Sequence, residues 1–462
     1  MNNKTKIIIA VVAVVIIGAA IFLVSGNNTM ANMTAMEKLE ASMEKQVEIK
    51  KVDMDMTIGL GFDIDETVEG VDTSMLNVIE DIEFVYNIKE DISDVENFLL
   101  EGLFSVVYQG ETSMDMNFFM DGEKMVFGIP FLYENPFYMT YEGYARLIEK
   151  TIEMSGETAA TPEFTFDMKK IMKDSIEFSE KFYSLEGIEG AENFDGDKYR
   201  TMMEEGLSGI LTETEAFDVE VDKEGEVSTI KCDGFMLTFN ETQFIDFALP
   251  ILEEAKTDEA LKNIIIAKTQ EYFDFAIGVY GEDFFNQPGM DDPYGEINEF
   301  IEEIKTNYEI RIGEMITELQ TQKERSEKET FVVINKIGLD SDGEMRYWDM
   351  SLDLNIEALE ELESVAMEGI DGAVVPEMSN PEGIKGVNVS MVYVINSINE
   401  ELTFTDYSTV TETGVDIVAL AENPDSQEAQ SLMMQIMGAG MQEMGTNPLL
   451  QILSQNMGQG VY

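Results

Sequence analysis

From Lys51 to Ile64 every second residue is apolar. Val52, Met54, Met56, Ile58, Leu60, Phe62 and Ile64 alternate with Lys51, Asp53, Asp55, Thr57, Gly59, Gly61 and Asp63. Successive side chains of a strand point to opposite faces, so this run predicts a strand with one apolar and one wet side. The alternation returns at Ile82, Phe84, Tyr86 and Ile88, and again at Met114, Met116, Phe118 and Met120. Asp121-Gly122 then gives a hairpin turn signal, residues 125–129 return from it, and 136–141 form a further short strand. Together these predict an antiparallel meander with one apolar side.

Between residues 142 and 211 the period changes. Tyr144, Leu147, Ile148 and Ile152 share one helical face; Phe166, Ile171, Ile176, Phe178 and Phe182 share another; a third helix lies near 199–207. Strand patterns resume at 217–221, 227–232 and 235–239. Asn240 has the look of a helix N-cap with Gln243 in capping-box position, opening a helix that carries Phe244, Phe247, Ala248, Ile251 and Leu252. Helices are expected over 258–279 and 294–323, strands over 331–339 and 344–354, and a short helix over 356–367. Val387, Val389, Met391, Tyr393 and Ile395 alternate once more, and 402–407 is expected to pair with that strand across 396–399. The fold class is α+β: curved antiparallel sheet covered by helices. The β-α-β-α-β order admits two related lobes, 46–215 and 216–415, or one large sheet fed by both ends. From 424 onward the chain is rich in Gln, Met and Gly; Leu432, Met433, Ile436, Met437, Met441 and Met444 would form one apolar stripe if helical, on a tail (416–462) that either packs or hangs free.

Residues 7–24 are eighteen residues without charge. As a helix they would extend about 27 Å, close to the roughly 30 Å core of a bilayer. Lys4 and Lys6 precede them and the next basic residue is Lys38, so residues 1–6 are expected in the cytoplasm and the bulk outside. The alternative is a cleaved secretory signal, whose apolar region is normally shorter. Residues 25–45 would be a spacer and stalk. No cysteine stands directly after the apolar run to carry a lipid, so the helix is the expected means of holding the chain at the cell membrane.

Ninety-two Asp and Glu face 29 Lys and Arg, a formal net charge of −63. Such a surface repels nucleic acid and anionic lipid headgroups and favours a basic protein or basic wall component as partner. There is no histidine, which removes the commonest general base and every His-containing zinc site. The only cysteine, Cys232, allows no intrachain disulfide and fits a small buried residue in a strand. A large exported chain without disulfides suits a bacterial surface. Asp340-Ser341-Asp342-Gly343-Glu344 and Asp291-Asp292 lack the spacing of a calcium loop and read as turns. No phosphate-binding, dinucleotide, nucleophile-elbow or metalloprotease motif is present, so no enzyme, cofactor or metal is expected.

Methionine is unusual: 32 in the chain, several on the apolar side of strands. Met adapts to irregular contacts and recurs on promiscuous hydrophobic surfaces. The candidate ligand-binding residues are Met54, Met56, Phe84, Met116 and Phe118, lining a cavity for a lipid or other apolar molecule. The competing expectation is a fully packed core in an acidic surface protein that acts as an interaction module or scaffold. An N-terminal membrane attachment followed by Val52-Asp53-Met54-Asp55-Met56, Ser113-Met114-Asp115-Met116-Asn117 and the hairpin Met120-Asp121-Gly122-Glu123-Lys124-Met125 resembles the LolA/LppX-like extracytoplasmic lipoproteins. Phe235-Met236-Leu237-Thr238-Phe239-Asn240, with Thr257-Asp258-Glu259-Ala260-Leu261 after it, resembles uncharacterised anchored surface proteins of clostridia and their relatives. The first resemblance implies a strongly curved antiparallel sheet with helices over its concave face, in some members with a lipid between. The chain departs from that class in having no lipobox cysteine and about twice the length of one unit.

Overall fold

The computed structural model describes residues 33–64, 74–155, 167–182, 184–280, 293–325, 328–358 and 383–457. The apolar stretch 7–24, Phe166, Asp291-Asp292 and most of the helix expected over 356–367 lie outside them. No described helix is long and apolar enough to cross a membrane.

The chain is α+β and is built on one sheet of twelve strands. In chain order these are β1 (Lys51–Ile64), β2 (Ile82–Asp91), β3 (Leu99–Tyr108), β4 (Glu111–Met120), β5 (Lys124–Ile129), β6 (Tyr133–Thr140), β7 (Leu211–Lys223), β8 (Glu226–Asn240), β9 (Phe331–Leu339), β10 (Met345–Asn355), β11 (Ile384–Ile398) and β12 (Val415–Asp416). Their spatial order is β12-β6-β5-β4-β3-β2-β1-β11-β10-β9-β8-β7. All pairings are antiparallel except the two-residue β12, which runs parallel to β6. The first strand therefore sits at the centre, with Met56 opposite Tyr86 on one side and Tyr393 on the other. Of the two arrangements the β-α-β-α-β order admits, the chain adopts the single sheet; the boundary at 215/216 falls inside β7.

Residues 402–407 do not form the expected strand. Both edges of β11 are already taken, by β1 and β10. The segment instead crosses the sheet, with Thr403 N–H donating to Glu224, Thr405 N–H to Glu101, and Tyr407 lying 5.0 Å from the Phe119 ring.

Helices α1 (Ala35–Val47), α2 (Ser74–Glu80), α3 (Tyr141–Ser155), α4 (Met168–Phe182), α5 (Gly196–Leu207), α6 (Glu241–Ala255), α7 (Glu259–Tyr280) and α8 (Pro293–Arg325) precede β9. The expected capping box is present at α6, with Asn240 Oδ1 accepting from Gln243 N–H and Gln243 returning the bond to Asn240 N–H. Helices α5 to α8 share a core of their own around Tyr199, Leu252, Leu261, Tyr308 and Ile312, without a strand residue in it. Glu241, 1% exposed, fastens this layer to the sheet: its carboxylate accepts from Thr330 N–H at 2.9 Å, from Thr330 Oγ1 at 2.7 Å, and from the Gln322 amide.

Beyond β11 come α9 (Val410–Thr413), α10 (Ile417–Glu422), α11 (Gln427–Thr446) and α12 (Pro448–Met457). This part of the tail packs: Leu449 is buried against Val78, Ile82, Val106 and Tyr108, and the Asn447 amide donates to the Ser113 carbonyl.

At one end the sheet rolls over on itself. Val219, Val221 and Cys232 of the β7–β8 hairpin pack on Tyr347 and Val394, although β7 and β11 are separated by three strands in the sheet order. Two glycines permit this. A side chain at Gly338 would meet Phe217, Cys232 and Tyr347 together, and one at Gly234 would strike Thr214 and the Glu215 carbonyl beside a bulge in β7. Beneath the roll lies a polar knot. The Asn87 amide donates to Asp53 and Asp55, each at 3.0 Å; Asn396, set in a bulge of β11, donates to Asp55 at 2.8 Å and accepts from Asp222 N–H at 3.0 Å.

Burial pushes the Asp53 carboxyl above its usual range, against the lowering effects of the Asn87 hydrogen bond and nearby Lys89. A raised folded pKa means that the ionised form costs stability above that pKa, and the cost fades as pH falls toward the unfolded value of about 3.9. Asp53→Asn is therefore expected to raise the urea midpoint at neutral pH, with a gain that shrinks as pH is lowered through the carboxylate range. A variant less stable than the parent at neutral pH would show that the charge is needed.

Candidate functional site: an apolar row across eight strands

The opposite face of the sheet carries the period-two apolar residues, and the register lines them up. One transverse row reads Met116, Phe104, Tyr86, Met56, Tyr393, Trp348, Ile337 and Phe235, from β4 through β3, β2, β1, β11, β10 and β9 to β8. At about 4.8 Å between strands it extends roughly 34 Å. The neighbouring row holds Met114, Val106, Phe84, Ile58, Met391 and Met350, ending at Asn335 and Leu237. On the other side, Phe118, Gly102, Ile88, Met54 and Ile395 form a third.

The aromatic members are ordered against one another. Tyr393 and Trp348 stack with centroids 5.2 Å apart and planes at 13°, and Tyr86 and Phe104 lie 4.8 Å apart. The Trp348 indole N–H donates to Asn335 Oδ1 at 3.0 Å, so the only polar side chain of the second row satisfies the only tryptophan. The Phe118 ring lies directly over Gly102, where any Cβ would collide with it.

All five sequence-derived candidates lie on this face. Met54, Met56, Phe84 and Phe118 are half-buried, and Met116 is 43% exposed. Helices cover the ends of the rows. The α2 and α12 helices close over Phe84, Phe104 and Met114, and Lys38 of α1 stands over the Phe235 ring. Across the middle, no described helix brings its backbone close against β10 or β11. Met56, Tyr393, Trp348 and Met350 consequently stay half-buried on a sheet face that elsewhere would be core. The sheet rolls, at its β7–β8 end, toward the polar side and away from this one.

Tyr86, Tyr393 and Trp348 were absent from the sequence-derived set. The signal for Trp348 was available, because it stands two residues before Met350 and so shares its side of β10. Among the described residues no three Cys, Asp or Glu side chains converge as a metal site. The acidic turn at Asp340 is filled from within: its carboxylate accepts from Asp342 N–H and Glu344 N–H and pairs with Arg346 Nε at 2.7 Å.

Comparison with known proteins finds no matching family, no matching curated protein and no matching solved structure.

Proposed function

We propose that this chain is a non-enzymatic, membrane-tethered extracytoplasmic protein that holds an apolar ligand, a lipid in the first instance, against the methionine- and aromatic-rich face of its sheet. The observation that carries this reading is the row of eight large apolar side chains across eight strands, with no helix among the described residues laid over its centre. A soluble sheet normally hides such a face, since exposed apolar area costs roughly 25 cal/mol per Å². Methionine suits a surface that must accept a flexible acyl chain, because its unbranched thioether repacks with little strain. The chain's charge of −63 would keep the body off anionic headgroups, so residues 7–24 are the proposed anchor and the sheet face the proposed ligand surface.

Trp348 makes the proposal directly testable, because it is the only tryptophan and lies in the middle of the row. A fatty acid brominated in mid-chain should quench its fluorescence on contact, while the unbrominated acid should not. Affinity should rise by up to about fourfold for each added methylene, the equivalent of ~0.8 kcal/mol. Met56→Gln, which keeps side-chain length and adds polarity, should weaken quenching. Unquenched fluorescence at monomeric fatty-acid concentrations would remove the ligand reading.

A further inference from the structure

Helix α11 presents a second apolar surface, separate from the sheet face. Leu432 is buried on its inner side, while Met433, Met434, Met437, Met441 and Met444 are 62%, 68%, 61%, 72% and 56% exposed. At 100° per residue these five fall within an arc of about 100°, so they form one stripe. Gly438 and Gly445 border it with open space around them, and Gly440 borders the other side with only Leu132 near. Five thioethers thus stand up from a smooth helix.

Charge selects what covers them. From residue 424 to the end of the sequence there is no Lys or Arg, whereas Asp425, Glu428 and Glu443 are present. A second copy brings the same charge of −63 and is repelled. An anionic bilayer finds no basic residue to hold its headgroups. We propose that the methionine stripe of α11 docks a cationic amphipathic helix of a partner protein, whose apolar side chains lie on the thioethers and whose Lys and Arg answer the chain's net charge of −63. Unbranched, polarisable side chains on an acidic surface are the chemistry that takes such helices in a groove or on a face.

Peroxide footprinting tests this, since methionine oxidation follows exposure. The full chain, carried in phosphatidylcholine nanodiscs at about 0.5 M salt to screen bare charge attraction, is oxidised with and without a Leu/Lys amphipathic peptide of about 18 residues. Without peptide the five stripe methionines should oxidise much faster than buried Met315. The peptide should slow them about tenfold or more, and a scrambled peptide of equal charge should not. M437Q with M441Q should weaken the peptide's protection of Met433 and Met444 by about tenfold. Three results would overturn the proposal: equal protection by the scrambled peptide, undiminished protection in the double variant, or slow oxidation of the stripe before any peptide is added. Protection appearing only in discs of anionic lipid would assign the stripe to the membrane instead.

Discussion

Gly338→Val is expected to destabilise the fold by about 2–3 kcal/mol and to expose the protein's only thiol. The added Cβ would stand 2.9 Å from Phe217 Cζ, 3.1 Å from Cys232 Cβ and 3.2 Å from Tyr347 Cβ. Two of those three neighbours are β-carbons, which cannot swing aside without moving their strands. The rolled hairpin must therefore lift from β10 and β11. Cys232 reports that movement: it is fully buried, and desolvation holds its thiol up at about 11, so thiol reagents should react with the parent very slowly. Labelling in the variant should accelerate about tenfold or more, in step with a lower urea midpoint. Parent-like labelling and midpoint together would mean that the hairpin does not depend on the missing side chain.

Glu241→Ala should cost about 3–4 kcal/mol, the scale of removing one partner from a buried charged hydrogen-bond set. The loss strands Thr330 N–H and Thr330 Oγ1 at a residue only 3% exposed, and releases the Gln322 amide. Glu241→Gln keeps one accepting oxygen but turns an NH₂ toward donors, so its cost should be smaller and still measurable. Because the helical layer has a core of its own, hydrogen exchange should quicken first at Thr330 and the start of β9, and only later within α6 and α8. A change under about 0.5 kcal/mol in the alanine variant would show that the Glu241 carboxylate is not what joins helices to sheet.

The strands that were readable in the sequence are those with one dry side. In β1, β2, β4, β10 and β11 one face carries an unbroken run of apolar residues, so the period of two survives even where Phe119, Tyr347 and Val394 pack on the other side. Strand β3 escaped because its two faces are both apolar in part: Phe104 and Val106 look to the row, whereas Leu99 packs with Phe119 and Val126 on the other side. The α6 capping box was legible because its two residues lie three apart. Which strands are neighbours was not, since pairing of β1 with β11 depends on residues far apart in sequence. For the same reason the five candidates could be placed on one side of their own strands, but not assembled into rows with Tyr393, Trp348 and Phe235. The stripe read on the tail divides in the same way: helical spacing groups Leu432 with the methionines, and only the packing of α11 turns Leu432 inward and the methionines out.

The central place of β1 bears on how the protein can be made. A strand emerging near the start of the chain meets β2 early, but its other edge waits for β11, about 340 residues later. Until then the growing chain carries an open strand edge bordered by Met54, Met56 and Ile58, the type of edge that recruits other chains. If the chain is threaded outward from residues 7–24, nearly all of it must arrive before the sheet can close at its middle. Its acidic excess then works during synthesis as well as afterwards, because like charge keeps two half-built sheets from zipping together. A folding helper waiting at the exit site would find its substrate in that unpaired edge.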